Sequence, residues 1–332
     1  MRAELVTGAR RIVVTAGPKV AGERLDRFVA ALSGAGTRSQ VKQWIDAGYV
    51  VVDGIARKAG FVLRSRMVVT VEVPVATPST VEAEAIPLVV LYEDADILGI
   101  DKAAGMVVHP APGSRRGTVV NALLHRLAGI AGVGDVARPG IVHRLDKDTS
   151  GVLLVARNVA ALEDLARQFR SRTIEKRYVA LVHGAVRSER GTIDRPIGRD
   201  PKDRKRMSVR VARGRASLTG WVVRERFPSA TLLEVKPETG RTHQIRVHLA
   251  SMGHPIVGDA VYGGRRRAGS GAIAAVLAGC PRQALHAARL AFTHPVSGAP
   301  VVLEAPLPAD LRNVLEGLRK ASRMHGNRPD AR

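Results

Sequence analysis

The sequence predicts an α+β protein in two domains: a small basic one, then a larger one built on a sheet flanked by helices. Three observations carry this expectation. Short apolar runs rich in Val and Ile, bounded by Gly and Pro, alternate with stretches of helical periodicity. A segment low in large apolar groups, PVATPSTVEAEAIP from Pro74 to Pro87, separates two such series and reads as extended and flexible. The length of 332 residues suggests two domains, and a hydrophobic content of 45% is enough for a real core. The expected boundaries are an N-terminal extension at 1–20, a small domain at 21–75, a linker at 76–87 and a large domain at 88–318. A basic tail at 319–332 is expected to be disordered.

The elements follow in chain order. Ile12-Val13-Val14 reads as a strand. Leu25, Phe28, Val29 and Leu32 recur on one face of a first helix. Thr37 is placed to cap a second helix whose Val41, Trp44 and Ile45 point inward, and Gly48 is placed to end it in a left-handed turn. Tyr49 to Val52 and Met67 to Val73 read as strands, with Asp53-Gly54 as a tight turn. After the linker, Leu88 to Ile100 has strand character broken at Glu93-Asp94-Ala95-Asp96, and Asn121 to Leu127 reads as a short helix. The segment RPGIVHRLDKDTSGVLLVAR, Arg138 to Arg157, places a polar knot between two apolar runs, Ile141-Val142 and Val152 to Ala156. Asp146 is therefore expected on a loop between two core strands, where a carboxylate beside a cation is a candidate nucleophile or base. A helix over Ala160 to Arg170 and strands over Glu175 to Val182 and Trp221 to Val235 follow. Gly263 to Gly279, rich in Gly, Arg and Ala, reads as a variable loop without the Gly-Lys-Ser/Thr ending of a P-loop.

Charge and composition narrow the function. The formal net charge is +22, from 52 Lys and Arg against 30 Asp and Glu. That excess predicts a polyanionic partner and salt-sensitive association. The densest run lies between Arg195 and Arg215, with nine cations against Asp200 and Asp203. Gly198, Pro201 and Gly214 mark it as a loop or hairpin, suited to clamping a phosphate backbone through Arg204, Lys205 and Arg206. Aromatic residues are only 3% of the chain, too few for an extended stacking platform, so shape and phosphate contacts should dominate. One cysteine, Cys280, excludes a disulfide framework or a cysteine-based metal cluster. No His-Glu-x-x-His pattern and no Gly-x-Ser-x-Gly elbow is present. The N-terminus lacks a signal-peptide core and no apolar run is long enough to span a bilayer, so a cytoplasmic protein with no membrane partner is expected.

His143-Arg144-Leu145-Asp146 followed by Thr149-Ser150-Gly151 resembles the catalytic signature of the RluA family of RNA pseudouridine synthases. The resemblance covers nearly the whole chain. Asp101-Lys102-Ala103-Ala104-Gly105 is similar to the family's first motif, with Ala103 where the family has Pro. Glu175 to Val182 resembles the second motif and Gly240 to Leu249 the third, while Leu285-His286-Ala287-Ala288 and Ala305 to Pro308 match the C-terminal part. The two short helices and hairpin carrying Arg38, Lys42, Arg57 and Lys58 look like an S4 RNA-binding domain. Together, HRLDKDTSG and the S4 domain resemble the RluD-like branch, which implies uridines of large-subunit ribosomal RNA, isolated or in an assembling subunit.

The resemblance implies a pseudouridine synthase fold, a large mixed and mostly antiparallel sheet flanked by helices. It implies an isomerisation that needs no cofactor and no metal. Asp146 would be the catalytic carboxylate, Arg246 the guanidinium that holds it ionised and oriented, and Tyr178 the ring over the uracil. Arg144 would fill the space left when the uridine flips out, as it must because its reacting atoms are shielded in a stacked helix. His143, Arg241 and Gln244 would contact the substrate or RNA, with Arg38 and Lys42 of the small domain. His243 and His248 read as structural residues or RNA contacts. A monomer is expected. The competing readings are a non-catalytic S4-type ribosome-assembly factor, a synthase acting on transfer RNA, and a glycosidase. A glycosidase would want a second opposed carboxylate, for which no motif is found.

Overall fold

A computed structural model describes residues 2–6, 9–32, 38–73, 81–110, 113–135, 137–203, 206–211, 213–263 and 271–326. The chain divides into two compact units. One comprises Met1–Ile86, His109–Ile141 and Val155–Leu165; the other comprises Pro87–Val108, Val142–Leu154 and Ala166–Arg332.

In the first unit, β1 (Arg2–Val6), β2 (Ala9–Thr15), α1 (Leu25–Ala30), α2 (Arg38–Asp46), β3 (Val50–Val52), β4 (Ile55–Ala56) and β5 (Val68–Val73) follow the apolar pattern. The strands form one sheet in the order β1-β2-β5-β3-β4. Residues 1–20 were expected as a separate extension, but β2 pairs with β5 along its length, from Arg10 opposite Val73 to Thr15 opposite Val68. Ile12 of β2 therefore shares a core with Leu25 and Val29 of α1, Val41 of α2, and Val50 and Val69. Gly48 takes the left-handed conformation, with φ of 83°, and ends the turn after α2. The expected cap Thr37 lies outside the described residues. Within the linker, Glu82 and Glu84 are bonded to Asn121: its Nδ2 donates to the Glu82 carbonyl at 2.7 Å and its carbonyl accepts from Glu84 N–H at 3.0 Å. Asn121 lies on α3 (Val119–Arg126), which Thr118 opens with a capping box. This part of the linker is thus fastened rather than free.

The second unit is organised on a nine-stranded sheet. Its strands are β6 (Val89–Glu93), β7 (Ile97–Lys102), β8 (Ser150–Ala156), β9 (Glu175–His183), β10 (Arg190–Asp194), β13 (Leu218–Phe227), β14 (Ala230–Pro237), β15 (Leu285–Thr293) and β16 (Pro300–Glu304). The order is β10-β13-β14-β9-β15-β8-β7-β6, with β16 added to β15. β8 and β15 run parallel, whereas β6–β7, β10–β13, β13–β14, β14–β9, β9–β15 and β15–β16 are antiparallel. The fold is α+β with a large mixed sheet, as the sequence predicts. β11 (Gly198–Arg199) and β12 (Met207–Ser208) form the separate hairpin expected within the basic run.

The helices are α4 (Val159–Ser171), α5 (Gln244–Ser251), α6 (Ala272–Ala278) and α7 (Ala309–Gly326). Ile245 and Leu249 of α5 and Leu311, Val314, Leu315 and Leu318 of α7 share one core with Ala180, Val182, Leu233 and Val235 of the sheet. Two expectations fail here. The segment expected as a loop from Gly263 to Gly279 contains α6, whose Leu277 is buried; residues 264–270 lie outside the described set. The tail expected to be disordered from residue 319 continues α7 to Gly326, because Ala321 is buried and Arg319 pairs with Glu225 at 2.7 Å. Among the described residues, no helix is long and apolar enough to cross a membrane.

Candidate active site

The site grows from the loop that leads into β8. The sequence suggested a strand on each side of Asp146. Instead, Ile141 makes only an isolated bridge to Val155, and residues 142–149 are irregular. Irregular backbone needs partners for its polar groups, and the loop's carbonyls are held one after another. The Asp146 carbonyl accepts from Thr149 N–H at 3.1 Å. The Lys147 carbonyl accepts from Gly105 N–H and from Lys102 Nζ, both at 3.0 Å. The Asp148 carbonyl accepts from Arg282 Nη1 at 2.9 Å, and Thr149 Oγ1 accepts from Gln283 Nε2 at 2.8 Å. The glycine of Thr-Ser-Gly has a steric cause: Gly151 sits opposite Ala287 in the parallel β8–β15 pair, at φ of 110°, where a Cβ would collide with the Ala287 carbonyl.

Lys102 gives the Asp-Lys-Ala-Ala-Gly motif its physical meaning. Its side chain is fully buried, and Nζ also donates to the carbonyls of Ala103 at 2.7 Å and Met106 at 2.9 Å. Burial lowers its pKa to about 8, against opposing pulls from Asp148 and Asp146. One ammonium thus ties the loop after β7 to the loop carrying Asp146.

Asp146 faces a cleft of about 600 Å³, a volume suited to a nucleotide-sized ligand. Arg144, Tyr178, Arg241 and Arg246 share its lining. Arg246 on α5 donates from Nη1 to Asp146 Oδ2 at 3.0 Å, and the two side chains are 7% and 17% exposed. The rest of the guanidinium fork is committed to Asp259: Nε to Oδ2 at 2.7 Å and Nη2 to Oδ1 at 2.8 Å. Asp259 Oδ1 also accepts from the N–H groups of Val261 and Tyr262, at 2.9 and 3.0 Å. Despite burial, these bonds hold the Asp259 carboxyl below the ordinary carboxylate range and push Arg246 up. The guanidinium is therefore fixed in position, and it fixes one oxygen of Asp146. The other oxygen, Oδ1, has no hydrogen-bond partner among the described residues.

Tyr178 lies on β9, opposite Val235 of β14 and Ala287 of β15. Burial, and then the charge of Asp146, raise its pKa, so the phenol keeps its proton. Lys176, two residues earlier on the same face of the strand, also lines the cleft; burial lowers its pKa to about 8, with Arg172 adding to the effect. Arg144 is exposed at the cleft wall. Arg241 is half-buried there, with Nε shielded from water and without a hydrogen-bond partner, a group ready for an anion.

Two residues expected to contact substrate, His143 and Gln244, line the cleft and are also bonded within the fold. His143 Nε2 accepts from Leu154 N–H at 2.9 Å and its ring stacks on Phe169 at 5.0 Å. Burial, then Lys176, lower its pKa to about 3, so the ring is a neutral acceptor. Gln244 is buried: its Oε1 accepts from Thr239 Oγ1 and Arg241 N–H, and its Nε2 donates to the Leu218 carbonyl and Thr219 Oγ1. It shapes the 239–241 loop and also lines the cleft. His248 is likewise structural, bonding Thr219 Oγ1 at 2.8 Å and the Arg195 carbonyl at 3.0 Å.

The basic hairpin reaches this region through Tyr262. Arg206 stacks over the Tyr262 ring at 5.3 Å, and Met207 N–H donates to its hydroxyl at 2.8 Å. Arg204 and Lys205 lie outside the described residues. In the first unit, Arg38 donates to Asp26 at 2.9 and 3.1 Å, alongside Arg24. These bonds, Arg24 first, hold the buried Asp26 at a pKa of about 2. Lys42 pairs loosely with Asp46 at 3.6 Å on an exposed face. A candidate metal cluster, Asp94, Asp96 and His294, lies away from the cleft lining. It reads as a hairpin lock, with His294 Nε2 and Tyr92 Oη both at 2.8 Å from Asp94 Oδ2 and Asp94 Oδ1 accepting from Asp96 and Ile97 N–H.

Known proteins are similar to this chain over most of its length. A Bacillus subtilis protein described as "Uncharacterized RNA pseudouridine synthase YlyB" is 46% identical over 310 residues, 93% of this chain and 99% of its own length. The chain belongs to the RNA pseudouridine synthase family. The family profile "RNA pseudouridylate synthase" matches residues 96–251, and the profile "S4 domain" matches residues 23–69. A Xanthomonas campestris relative named "Ribosomal large subunit pseudouridine synthase D" is 47% identical over 91% of each chain. Among solved structures, human RNA pseudouridylate synthase domain containing 4 is 27% identical, with a TM-score of 0.56 over 70% of this chain and 93% of its own. As a pseudouridine synthase, the chain rejoins C1′ of a uridine to C5 of its own base. The C1′–N1 bond breaks, a C1′–C5 bond forms, C5 loses a proton and N1 gains one.

Sequence reading missed Lys102, Asp259, Tyr262, Arg282 and Gln283. Lys102 stood inside a motif already noted, and its place directly after a strand was the available signal. Asp259 and Tyr262 fall in a Gly-Asp-x-x-Tyr-Gly turn, whose pairing with Arg246 across 13 residues no local pattern announces.

Proposed function

We propose that this enzyme converts uridines of large-subunit ribosomal RNA to pseudouridine, with Asp146 as the acting carboxylate. The observation that carries the reading is the 3.0 Å bond from a fixed Arg246 to Asp146 Oδ2 at the wall of a nucleotide-sized cleft. It leaves Oδ1 as the oxygen directed at the sugar or base. Tyr178 covers the everted uracil with a protonated phenol. Arg144 takes the place of the base in the helix and Arg241 meets a backbone phosphate. The S4 domain, through Arg38 and Lys42, and the basic hairpin, through Arg204, Lys205 and Arg206, add phosphate contacts without reading sequence.

The large-subunit target is supported by relatives named for that substrate at 43–47% identity. The protein acts in the cytoplasm as a monomer on RNA or on the assembling subunit. An intact Asp146–Arg246–Asp259 array argues against a purely RNA-binding assembly factor, since such a factor would have no use for a buried, doubly paired guanidinium. Pseudouridine mapping across all cellular RNA, with and without the gene, tests the assignment. The expected result is loss of specific sites in large-subunit ribosomal RNA. Loss confined to transfer RNA would replace the substrate, and no loss anywhere would remove the enzyme reading.

A further inference from the structure

We propose that His243 is a positioning residue for this reaction, donating a hydrogen bond from Nε2–H to Asp146 when substrate occupies the cleft and held for that task by the Tyr262 hydroxyl. The inference rests on Asp146 being the acting carboxylate.

The backbone gives the first argument. His243 stands immediately before α5 with φ of 54° and ψ of 20°, a left-handed conformation that a non-glycine residue adopts at a cost. Such strain persists only where the surroundings enforce it, and it gathers at functional sites. Here the enforcing contacts are visible: the His243 carbonyl accepts from Val247 N–H at 2.9 Å, and Gln244 ties down Arg241 N–H on the preceding loop. An ordinary helix start at this position would aim the imidazole elsewhere.

The ring gives the second. Nε2 lies 4.0 Å from Asp146 Oδ2, the oxygen that Arg246 also holds. Nδ1 lies 2.9 Å from the Tyr262 hydroxyl. The Tyr262 oxygen already accepts from Met207 N–H at 2.8 Å, and its own proton has one acceptor among the described residues, His243 Nδ1. With the opposite tautomer, a buried hydroxyl proton would be left unsatisfied, at a cost of about 1–3 kcal/mol. The network therefore assigns the imidazole proton to Nε2, facing Asp146. Burial, and then the positive charge of Arg246 and Arg144, depress the His243 pKa despite Asp146 and Asp259, so the ring is a neutral donor.

Tyr262 is itself held, with the guanidinium groups of Arg206 and Arg246 over its ring at 5.3 and 5.2 Å. A chain of donors thus runs from the backbone of β12 through Tyr262 and His243 to Asp146. The 4.0 Å gap is too long for a hydrogen bond in the free protein, and contacts of this kind tighten when substrate binds. With both Arg246 and His243 on Oδ2, the carboxylate would be unable to rotate and Oδ1 would stay aimed at the nucleotide.

The test is a double-mutant cycle on the full-length protein. Tyr262→Phe removes the hydroxyl and keeps the stacked ring. His243→Asn removes the imidazole and keeps a residue that tolerates the left-handed backbone. Pseudouridine formation is measured in single turnover with enzyme in excess over deproteinised large-subunit ribosomal RNA, and RNA affinity is measured in parallel. Each variant should lose about tenfold in rate, with RNA affinity unchanged within about twofold. The double variant should lose about as much as His243→Asn alone, because the two residues act as one unit. Multiplying losses, a Tyr262→Phe rate within about twofold of wild type, or a loss seen only in RNA affinity would each overturn the relay. Asp146→Asn run alongside separates the two failures. Turnover in that variant defeats the reading of the site, whereas its absence beside an unimpaired Tyr262→Phe defeats only the role of His243.

Discussion

Asp259→Asn is the substitution whose effect the structure specifies most fully. Asp259 is completely buried and accepts four hydrogen bonds: Nε and Nη2 of Arg246, and the N–H groups of Val261 and Tyr262. An asparagine oxygen can keep the two backbone bonds. Its NH₂ group, in the place of Oδ2, then faces Arg246 Nε across 2.7 Å, donor against donor. One charge-assisted bond is lost, about 1.5–3 kcal/mol, and a buried guanidinium N–H is left unsatisfied, about 1–3 kcal/mol. The total agrees with the roughly 3–5 kcal/mol found when one partner of a buried ion pair is removed. Urea unfolding at pH 7 should show that loss. The pH dependence follows from linkage. The Asp259 pKa is depressed in the folded state, so its stabilisation is complete above the unfolded value of about 3.9 and declines as pH falls through the folded value. The gap between wild type and variant should therefore narrow below about pH 4. A difference under about 1 kcal/mol at pH 7, or a gap constant from pH 7 to pH 3, would refute the claim that Asp259 anchors Arg246 as a carboxylate.

Gly151→Ala should destabilise the protein by at least about 3 kcal/mol, read as a fall in thermal midpoint, because its Cβ meets the Ala287 carbonyl in the β8–β15 pair; a midpoint near wild type would contradict that close approach. His143→Phe keeps the stack on Phe169 but strands Leu154 N–H, so stability should fall by about 1–3 kcal/mol while RNA affinity is unchanged. Weaker RNA binding at unchanged stability would make His143 an RNA contact. Neutralising Arg204, Lys205 and Arg206 of the basic run should flatten the salt dependence of RNA binding, by up to about one unit of slope for each phosphate no longer neutralised. An unaltered slope would remove the hairpin from the RNA interface.

The parts of the fold legible in sequence were those where a local pattern and a tertiary role coincide. The apolar periods of α1 and β9 and the turn at Gly48 are of this kind, because the same residues fix local conformation and fill the core. Reading failed where composition concealed the pattern. The glycines and arginines around residues 263–271 masked the short apolar helix α6. The cations of residues 319–323 suggested a solvated tail, although Leu318 and Ala321 continue the buried stripe of α7. Ile141-Val142 read as a strand, yet only Ile141 finds a partner, Val155, and the backbone then turns to present Asp146.

At the site, motif resemblance pointed to Asp146, Tyr178 and Arg246, and the structure brings all three to one cleft. It did not announce that polar residues beside them also hold the backbone. His143 and Gln244 stand next to Arg144 and close to Arg246 in sequence; irregular backbone must be satisfied internally, and these side chains supply the partners. Asp259 was invisible because its partner is distant in the chain and an aspartate in a Gly-rich turn has an ordinary local explanation.

The central claim is that one oxygen of Asp146, left free while Arg246 restrains the other, drives the isomerisation. Release of tritium from RNA labelled at uracil C5 reports departure of that proton directly. Purified Asp146→Asn should bind the labelled large-subunit RNA as wild type does and release no tritium above background. Release at the wild-type rate would contradict the account.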